Sequence, residues 1–444
     1  MSGPAAKEEA SPPGLADALV AEHFGRKDGT LMIGGVAVGD LAERFGTPLF
    51  VYDAGIFRRN LQRLRHAVGA RVDVHYSVKA NPNPDVISLF AAEGAGLEIA
   101  SAAEYLRAIK AGGTPERIVF AGPGKGADEL DFVIERGIGE IHLETDIELE
   151  TVAEIGERQG LTVPVGLRVN PAAAAQGGAM RMGGKPAPFG FDEERLPDMI
   201  AEVRRRPTLD FKGIHLFAGT QILDADVLAT QWRHGLELAV RLQEELGVSI
   251  ETIDLGGGLG VPYFKGEQSL DLARLEILAK PLFAAVAESL PDTRIILEPG
   301  RYMTANAGVY LARTRAVKHS REQIYAVIDG GMHHHLAASG NLGQVIKKDY
   351  PILLAERLDA APEITASVVG PLCTPLDTLG RKVALPMPET GDLVAVLQSG
   401  AYGLSASPVG FLSHPMPAEV LADQGEARLI RARGSFEQPI TPLP

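Results

Sequence analysis

The sequence predicts an α/β protein that combines a parallel (β/α)8 barrel with a mainly antiparallel C-terminal β-domain. Between residues 72 and 300, eight short β-rich runs alternate with amphipathic stretches, as the count and length of such a barrel require. Beyond residue 303 the sequence pattern changes to strand-like runs divided by Gly, Pro and Asp, which predicts a mainly antiparallel domain. A chain of 444 residues with 45% hydrophobic content can bury one large core and a smaller one. A doubly wound open sheet is the alternative architecture.

The predicted barrel extends over residues 47–302. It begins with an extended PLFVYD and a helix-like GIFRRNLQRLRHAV, and its eight strands are VDVHYSV (72–78), GLEIAS (96–101), RIVFAG (117–122), EIHLET (140–145), VPVGLRVN (163–170), FKGIHLF (211–217), IETIDLGG (250–257) and RIILEPG (294–300). Segments such as SAAEYLRAIKAG and DIELETVAEIGERQG between them carry apolar residues at three- and four-residue spacing, which predicts helices.

The predicted β-domain takes in residues 303–444 and 14–46, because LMIGGVAVGD (31–40) has the same strand character. Residues 1–13 are polar and lack the apolar centre of a signal peptide, so they are predicted to form a flexible tail. No later apolar run reaches the roughly 18 residues that a membrane span needs. The sequence therefore predicts a cytoplasmic protein with no membrane insertion.

Charge and cysteine content narrow the class of function. The net charge of -14 opposes nucleic acid and anionic lipid as partners, and no Lys/Arg tract is present. A single cysteine, Cys373, excludes an internal disulfide framework and suits a reducing compartment. These features favour a protein that acts on small molecules over one that binds nucleic acid or anionic lipid.

Lys79 stands where the first predicted barrel strand must end. Val74, Tyr76 and Val78 alternate as in a strand, and Pro82 and Pro84 prevent its continuation. Catalytic residues of such barrels come from strand ends, although a solvated strand-end lysine is the ordinary alternative. Other polar or glycine residues collect at these ends: Glu98, Arg168, His215 with Phe217, Gly256-Gly257-Gly258, and Glu298 with Arg301.

The glycine run suggests a phosphate site, with a simple tight turn as the alternative. In barrels, phosphate commonly binds after strands seven and eight, where this run lies. A dinucleotide fingerprint is disfavoured because Pro262 and Tyr263 follow at once. A phosphate, a strand-end lysine and a buried carboxylate together suggest pyridoxal phosphate. Lys79 would form the Schiff base, which requires a neutral amine, and Glu298 would face the pyridine nitrogen unless it pairs with Arg301.

Seven ordered motifs in residues 30–425 resemble the fold-type III pyridoxal-phosphate decarboxylases, and most closely the diaminopimelate decarboxylases. The motifs are YSVKAN, LEIAS, GIHLFAGTQI, DLGGGLG, EPGR, GPLCTPLD and SGAYG. The resemblance implies a head-to-tail homodimer with shared active sites, in which Lys79 lies on one chain while Cys373 and Tyr402 lie on the other. It makes Lys79 the cofactor lysine, and Cys373 of the partner subunit the acid that reprotonates Cα. The alternative for Cys373 is a small buried hydrophobe.

The resemblance also assigns the remaining cofactor contacts. Gly257, Gly258 and Tyr402, with help from Thr220, would hold the phosphate, and Glu298 would pair with the pyridine nitrogen. The further cofactor-binding residues that it implies are Glu98, Arg168, His215, Phe217, Gly300 and Arg301.

Three departures from the family pattern bear on the substrate. Phe217 replaces a second histidine, and Thr374 replaces a glutamate that grips a distal amino group. DGGMHHHLAASGNLG replaces an Arg-Pro-x-x-Tyr stretch, and it resembles relatives that are associated with exopolysaccharide export or carrier-tethered amino acids. A neutral threonine cannot balance a desolvated ammonium, which disfavours free meso-diaminopimelate. The predicted substrate-binding residues are Arg301, His333, His334, His335, Thr374 and Asp377.

Several interpretations stay open at this point. In a strand, His333 and His335 would share a face, but two ligands without an acidic or cysteine third argue against a metal site, so no metal is predicted. A polar wall of the substrate pocket is favoured for these histidines, with packing at the dimer interface as the alternative. The predicted function is α-decarboxylation of a modified or carrier-tethered amino acid. The alternatives are a meso-diaminopimelate decarboxylase that makes L-lysine, an amino-acid racemase, and a non-catalytic pyridoxal-phosphate protein.

Overall fold

The computed structural model of the protein describes residues 14–172, 180–181, 186–217, 219–342, 344 and 347–437. The tail predicted for residues 1–13 lies outside the described residues. In the parts of the chain that are described, no helix is both long and apolar enough to cross a bilayer.

The first elements precede the barrel. They are α1 (Leu15–His23), β1 (Gly25–Lys27), β2 (Thr30–Ile33), β3 (Val36–Ala37), α2 (Val38–Phe45), β4 (Leu49–Asp53) and α3 (Ala54–Val68). Strands β1 to β3 form a small antiparallel sheet. The strand character predicted for residues 31–40 ends at Ala37, because from Val38 onward the apolar residues follow helical spacing and the chain forms α2.

Eight parallel strands close into the predicted barrel, which confirms the fold class over the described residues. The strands of the barrel and its loops are β5 (Val72–Ser77), β6 (Gly96–Ile99), β7 (Ile118–Phe120), β8 (Glu140–Leu143), β9 (Val163–Asn170), β10 (Met180–Arg181), β11 (Phe191–Asp192), β12 (Leu209–Leu216), β13 (Gly219–Thr220), β14 (Thr252–Asp254) and β15 (Arg294–Leu297). The barrel order is β5-β6-β7-β8-β9-β12-β14-β15, and β15 pairs with β5 to complete the circle.

Helices follow the barrel strands as their pattern predicts. They are α4 (Pro84–Ala92), α5 (Ala102–Lys110), α6 (Ala127–Glu135), α7 (Asp146–Gln159), α8 (Leu196–Arg204), α9 (Ala225–Leu246), α10 (Leu272–Ser289) and the single turn α11 (Arg301–Thr304). Side-chain caps begin several of them: Ser101 accepts the N–H of Glu104, and Thr145 accepts the N–H of Glu148. These caps fix the point at which each strand-end loop turns into a helix, and so fix the rim of the barrel.

The second sheet is mixed but mainly antiparallel. Its strands are β16 (Gly308–Ser320), β17 (Gln323–Ile328), β18 (Ile352–Leu354), β19 (Ile364–Val369), β20 (Thr378–Leu385), β21 (Leu393–Val396), β22 (Ala418–Asp423) and β23 (Glu426–Arg431). Strand β4 joins this sheet, antiparallel to β16 and parallel to β22. The predicted boundary at residue 47 places β4 with the barrel, whereas its hydrogen bonds place it in the second sheet.

The centre of the second sheet is buried on both faces. Along β16, Val309 and Leu311 enter the smaller apolar cluster with β2 and α2, while Tyr310 and Ala312 enter the large cluster that continues into the barrel. This alternation follows the two-residue period of a strand. The sheet is thereby anchored to the barrel, and the loop after β21, which carries SGAYG, lies at the barrel mouth.

Candidate active site

Lys79 lies in a short 3-10 turn directly after β5, beside the end of β6. Its Nζ lies 2.8 and 2.9 Å from the two carboxylate oxygens of Glu98, and Ser77 Oγ donates to the same carboxylate. Glu98 is buried, whereas the Lys79 side chain is about half exposed. The amine is therefore fixed by a buried carboxylate yet open to a ligand.

The charge state of Lys79 differs from the prediction that the site disfavours an ammonium. Burial lowers the pKa of Lys79, but the negative charges of Glu98 and Glu298 outweigh burial and raise the pKa above its usual value. The ammonium form is thus stabilised while the amine faces Glu98. The sequence does not predict the raised pKa of Lys79, because the resemblance assigns Glu98 to the cofactor and not to the lysine.

The glycine run after β14 forms a floor that side chains cannot occupy. A Cβ at Gly257 would lie 2.3 Å from the carbonyl oxygen of Glu298, and one at Gly258 would lie 2.6 Å from that of Gly219. Gly258 also has a φ of +95°. The predicted phosphate residue Thr220 follows Gly219 in β13, so the structure brings Thr220 next to the run. The glycines expose their backbone here, which suits the close approach of a phosphate.

Glu298 follows β15 and is buried at the base of the mouth. Its Oε2 lies 3.4 Å from Nε2 of His215, and its Oε1 has no hydrogen-bond partner among the described residues. The ion pair with Arg301 that the sequence left open does not form among those residues. Instead, Nη1 of Arg301 donates to the hydroxyl of Tyr263 over 3.1 Å, and the guanidinium lies 4.6 Å from the ring centre of Tyr402.

The carboxyl groups below the mouth differ in charge. Burial raises the pKa of Glu298, but the neighbouring His215, His142 and Lys79 lower it by more, so Glu298 is ionised at neutral pH. Burial and the charge of Glu298 together raise the pKa of Asp254 well above its usual value. Burial lowers the pKa of His215 to about 4, so that ring is neutral at pH 7. One buried carboxylate with a free oxygen thus faces the mouth.

Tyr402 lies in the same chain as Lys79, at the same mouth. Its backbone N–H donates to the carbonyl of Ala80 over 2.8 Å, which ties the SGAYG loop to the lysine turn. The expectation that Tyr402 comes from the other chain is therefore wrong. Gly300 permits this arrangement, because a Cβ there would lie 2.9 Å from that of Ser77 and 3.0 Å from that of Ala80.

Arg168 and Phe217 lie on the far side of the mouth from Lys79's turn. Nη1 of Arg168 donates to Oε1 of Glu144 over 2.7 Å, and both groups are buried. Phe217 lies against the glycine run, since a Cβ on Gly256 would lie 3.0 Å from its ring. Sequence reasoning missed Glu144, although this residue follows a barrel strand and the strand-end rule that selected Lys79 would have found it.

A cavity of about 490 Å³ opens beside Lys79 between the barrel and the second sheet. Its described walls include Asn81, Glu104, Arg107, Ser407 and Arg431. Sequence reasoning selected none of these five, because their approach to one another depends on how the barrel and the second sheet pack. The cavity leaves room for a ligand to reach the lysine from outside.

The predicted Cys373, Thr374 and His333 to His335 do not line this cavity within the described part of the chain. Cys373 is exposed, in the loop between β19 and β20. The loop is held by Asp377, whose carboxylate oxygens accept the N–H groups of Met332 over 2.6 Å and Leu372 over 2.8 Å. Asp377, predicted to bind substrate, is buried with both oxygens engaged, and it joins this loop to the histidine turn.

The three histidines form a turn and not a strand, because the N–H groups of His334 and His335 both bond to the carbonyl of Gly331. Nδ1 of His334 lies 3.2 Å from the Tyr310 hydroxyl, and Nε2 of His335 lies 3.0 Å from Ser399 Oγ. The His333 ring contacts that of His334 at a tilt of 45°, with 3.7 Å between ring centres. Burial lowers the pKa of all three, to about 4 for His333 and about 3 for His335, so they are neutral at pH 7.

Comparison with known proteins gives a consistent family. The family described as "Pyridoxal-dependent decarboxylase, pyridoxal binding domain" matches residues 54–305. The L-glutamyl-[BtrI acyl-carrier protein] decarboxylase of Niallia circulans is 38% identical over 401 residues, covering 89% of this chain and 94% of that protein. The diaminopimelate decarboxylase of Aquifex aeolicus is 32% identical over 420 residues, covering 94% and 96%.

Solved structures resemble the whole fold. The diaminopimelate decarboxylase of M. jannaschii, in complex with L-lysine, superimposes with a TM-score of 0.85 at 29% identity, covering 93% of this chain and 95% of that one. The protein AQ1208 of Aquifex aeolicus gives a TM-score of 0.83 at 30% identity, covering 95% and 98%. Both likenesses include the barrel and the second sheet.

Proposed function

Because this chain belongs to the pyridoxal-dependent decarboxylase family, we propose that it decarboxylates an amino acid whose far end is modified or attached to a carrier. The family makes the protein a lyase that uses pyridoxal phosphate. The observation that carries the substrate proposal is the neutral side chain of Thr374 next to Cys373, where a distal ammonium would need a carboxylate.

The residues at the barrel mouth fit pyridoxal phosphate. Glu298 offers a buried carboxylate oxygen that has no partner among the described residues, as a protonated ring nitrogen requires. The floor at Gly257 and Gly258 would admit a phosphate, with Thr220 next to Gly219 in the adjoining strand. Lys79 offers an accessible amine for covalent attachment. The family resemblance adds His215, Phe217, Glu98, Arg168, Gly300 and Arg301 to the proposed site.

When bound, pyridoxal phosphate supplies an electron sink for the negative charge left on Cα as CO2 departs. The protein's own residues do the rest. Glu298 would hold a proton at the ring nitrogen through its negative charge, and Arg301 contacts both Tyr263 and Tyr402 at the mouth. To hold the cofactor, Lys79 would have to leave Glu98 and lose the proton that Glu98 stabilises. Glu98 is the nearest base for that proton.

We assign reprotonation of Cα to Cys373 of the partner subunit. In this chain Cys373 is exposed, its neighbour Leu376 is 47% exposed, and neither lines the described cavity beside Lys79. An exposed loop with apolar side chains suits a contact with a second copy of the chain. Asp377 keeps this loop rigid, so that a docked partner would present the thiol in one place. The proposal therefore includes a homodimer with shared active sites.

The far end of the substrate meets neutral groups in this account. A carboxylate next to the cysteine would balance a distal ammonium, but Thr374 carries no charge and its Oγ1 accepts the N–H of Leu376. A desolvated ammonium without a counter-charge is costly. An amide, ester or thioester at this end removes that cost. The Niallia circulans relative acts on a glutamyl group attached to an acyl-carrier protein, which is a substrate of this kind.

Electrostatics limits the carrier version of the proposal. The net charge of -14 would repel an acidic carrier at long range, so docking needs local cations. Arg107, exposed at the edge of the cavity beside Lys79, is one such group. A single cysteine fits a reducing compartment, and we place the enzyme in the cytoplasm.

The other functions considered receive less support. The diaminopimelate decarboxylase relatives keep meso-diaminopimelate as the second candidate substrate. Racemization would need a second base on the opposite face of the cofactor, and the GPLCTPLD loop offers an acid suited to decarboxylation instead. A non-catalytic role is disfavoured because Lys79, Glu298 and Tyr402 all lie at one mouth.

We predict that Thr374→Glu increases kcat/KM for free meso-diaminopimelate by at least about tenfold, because the new carboxylate supplies the missing counter-charge. Thr374→Gln is the matched control, since glutamine has nearly the same shape without the charge. CO2 release from free and conjugated amino acids gives the measurement. If Thr374→Gln gains as much as Thr374→Glu, or the wild type already equals Thr374→Glu, charge at this position does not select the substrate.

A further inference from the structure

A continuous column of ionisable side chains occupies the interior of the barrel below the mouth. We use the term polar column for Glu140, His142, His215, Asp254 and Glu298, each of which is at most 5% exposed. Glu140 and His142 lie on β8, His215 on β12 and Asp254 on β14, while Glu298 directly follows β15. Barrel interiors are usually filled by branched apolar residues, so this column is unusual.

The members of the polar column are in close contact. Nε2 of His142 lies 3.3 Å from Oε1 of Glu140, and the ring centres of His142 and His215 are 4.4 Å apart. Nε2 of His215 in turn lies 3.4 Å from Oε2 of Glu298. The contacts therefore lead without a gap from Glu140 to the carboxylate at the mouth. At the lower end, Nη2 of Arg294 lies 3.9 Å from Glu140.

The backbone makes room for the polar column. Gly166 on β9 is the register partner of His142 on β8. A Cβ at Gly166 would lie 2.4 Å from Oε1 of Glu140 and 3.1 Å from the His142 ring, which is closer than side chains tolerate. A larger residue at 166 would collide with this pair. The space for Glu140 and His142 is thus built into the neighbouring strand.

The charge states of Glu140 and Glu298 indicate a role for His142. Burial raises the pKa of Glu140, but His142 and Arg294 lower it by more, and the pKa of Glu298 is also lowered. Two buried carboxylates are thus ionised, and His142 lies between them. Isolated buried charges are costly, so ionisation of both depends on the side chains that contact them.

We propose that His142 is a positioning residue that, held by Glu140, keeps Glu298 ionised towards the ring nitrogen of pyridoxal phosphate. This inference rests on the proposed role of Glu298. The other charged or titratable groups that face the polar column are Lys79 after β5, Arg168 on β9 and Arg294 on β15. His142 is the member that joins Glu140 to the mouth, and it need not contact the cofactor to act.

The test is a double-mutant cycle read by cofactor affinity. Cofactor-free protein is titrated with pyridoxal phosphate, and binding is followed by visible absorbance and by fluorescence of the single tryptophan. His142→Asn should raise the dissociation constant about tenfold, and Glu298→Gln should raise it more. The double variant should equal Glu298→Gln alone, because His142 has nothing to act on once the carboxylate is neutral. His142→Gln serves as a second variant if His142→Asn folds poorly.

The pH dependence and a control separate this role from simple packing. Loss of His142 removes an influence that lowers the pKa of Glu298. As the pH is lowered, the affinity of His142→Asn for pyridoxal phosphate should therefore begin to fall at a higher pH than that of the wild type. His75→Asn is the control, because His75 is equally buried on a barrel strand but pairs with Asp73 outside the polar column. Its affinity and pH profile should match the wild type.

Unchanged affinity in His142→Asn, or additive effects in the double variant, would overturn the inference while leaving the role of Glu298 intact. If Glu298→Gln itself binds the cofactor as tightly as the wild type, the proposed role of Glu298 fails, and the inference fails with it.

Discussion

Lys79→Ala is expected to abolish covalent attachment of pyridoxal phosphate and to lower kcat/KM by about four orders of magnitude or more. The physical reason is that Lys79 carries the accessible amine at the mouth, between Glu98 and the glycine floor. Wild-type protein should be yellow, and borohydride should fix the cofactor to the chain. Mass spectrometry of borohydride-treated protein measures the attachment directly.

Lys79→Arg is the matched control for this experiment. Arginine keeps a positive charge against the buried Glu98, so it preserves the ion pair, but it cannot form the covalent bond. Both variants should fold and both should lack the attached cofactor. A borohydride-stable cofactor on Lys79→Ala would show that another residue holds it, and the assignment of Lys79 would then be wrong.

The second large effect concerns composite active sites. Cys373→Ala and Lys79→Ala should each be inactive as homodimers, yet mixed dimers should regain activity. If each site takes Lys79 from one chain and Cys373 from the other, a mixed dimer holds one intact site and one doubly defective site. Random exchange makes half of the dimers mixed, so about a quarter of wild-type activity should return.

The experiment requires proof that mixed dimers form. The two chains can carry different affinity tags, and mixed dimers are then isolated by two successive purifications, one for each tag. Mixing Cys373→Ala with a second batch of Cys373→Ala is the control, and it should restore nothing. Inactivity of purified mixed dimers would mean that both residues act within one chain. Tyr402, first expected from the partner, lies beside Ala80 of its own chain.

The barrel was predictable because its signals are local. Each strand is a short β-rich run, each helix has its own apolar spacing, and Pro82 and Pro84 mark the end of the first strand. Lys79, Glu98, His215, Glu298 and the glycine run could be selected because strand ends of a closed barrel meet at one face. Their mutual approach follows from topology alone.

Features that depend on distant pairing were not predictable in this way. Strand β4 looks like the start of the barrel, but its partners β16 and β22 lie more than 250 residues further along the chain. Tyr402 reaches Lys79 only because the second sheet packs against the barrel. The histidines at 333–335 form a turn because Gly331 accepts two successive N–H groups, which a strand pattern cannot reveal.

The polar column was within reach of the sequence. In EIHLET, Glu140 and His142 are two residues apart on a strand, so they face the same side. A barrel strand with ionisable residues on one side and Ile141 and Leu143 on the other contradicts the usual apolar interior. The strand-end rule does not select this pair, because the rule applies only to the last residues of each strand.

The central claim is that the substrate is an amino acid with a neutral or tethered far end. Its most direct test is kcat/KM for CO2 release from a carrier-linked or conjugated amino acid, such as a glutamyl thioester on an acyl-carrier protein, measured against free meso-diaminopimelate. The account predicts about 10⁴ M⁻¹s⁻¹ or more for the linked substrate and at least ~100-fold less for the free diamino acid. A value of about 10⁴ M⁻¹s⁻¹ or more for free meso-diaminopimelate would contradict it.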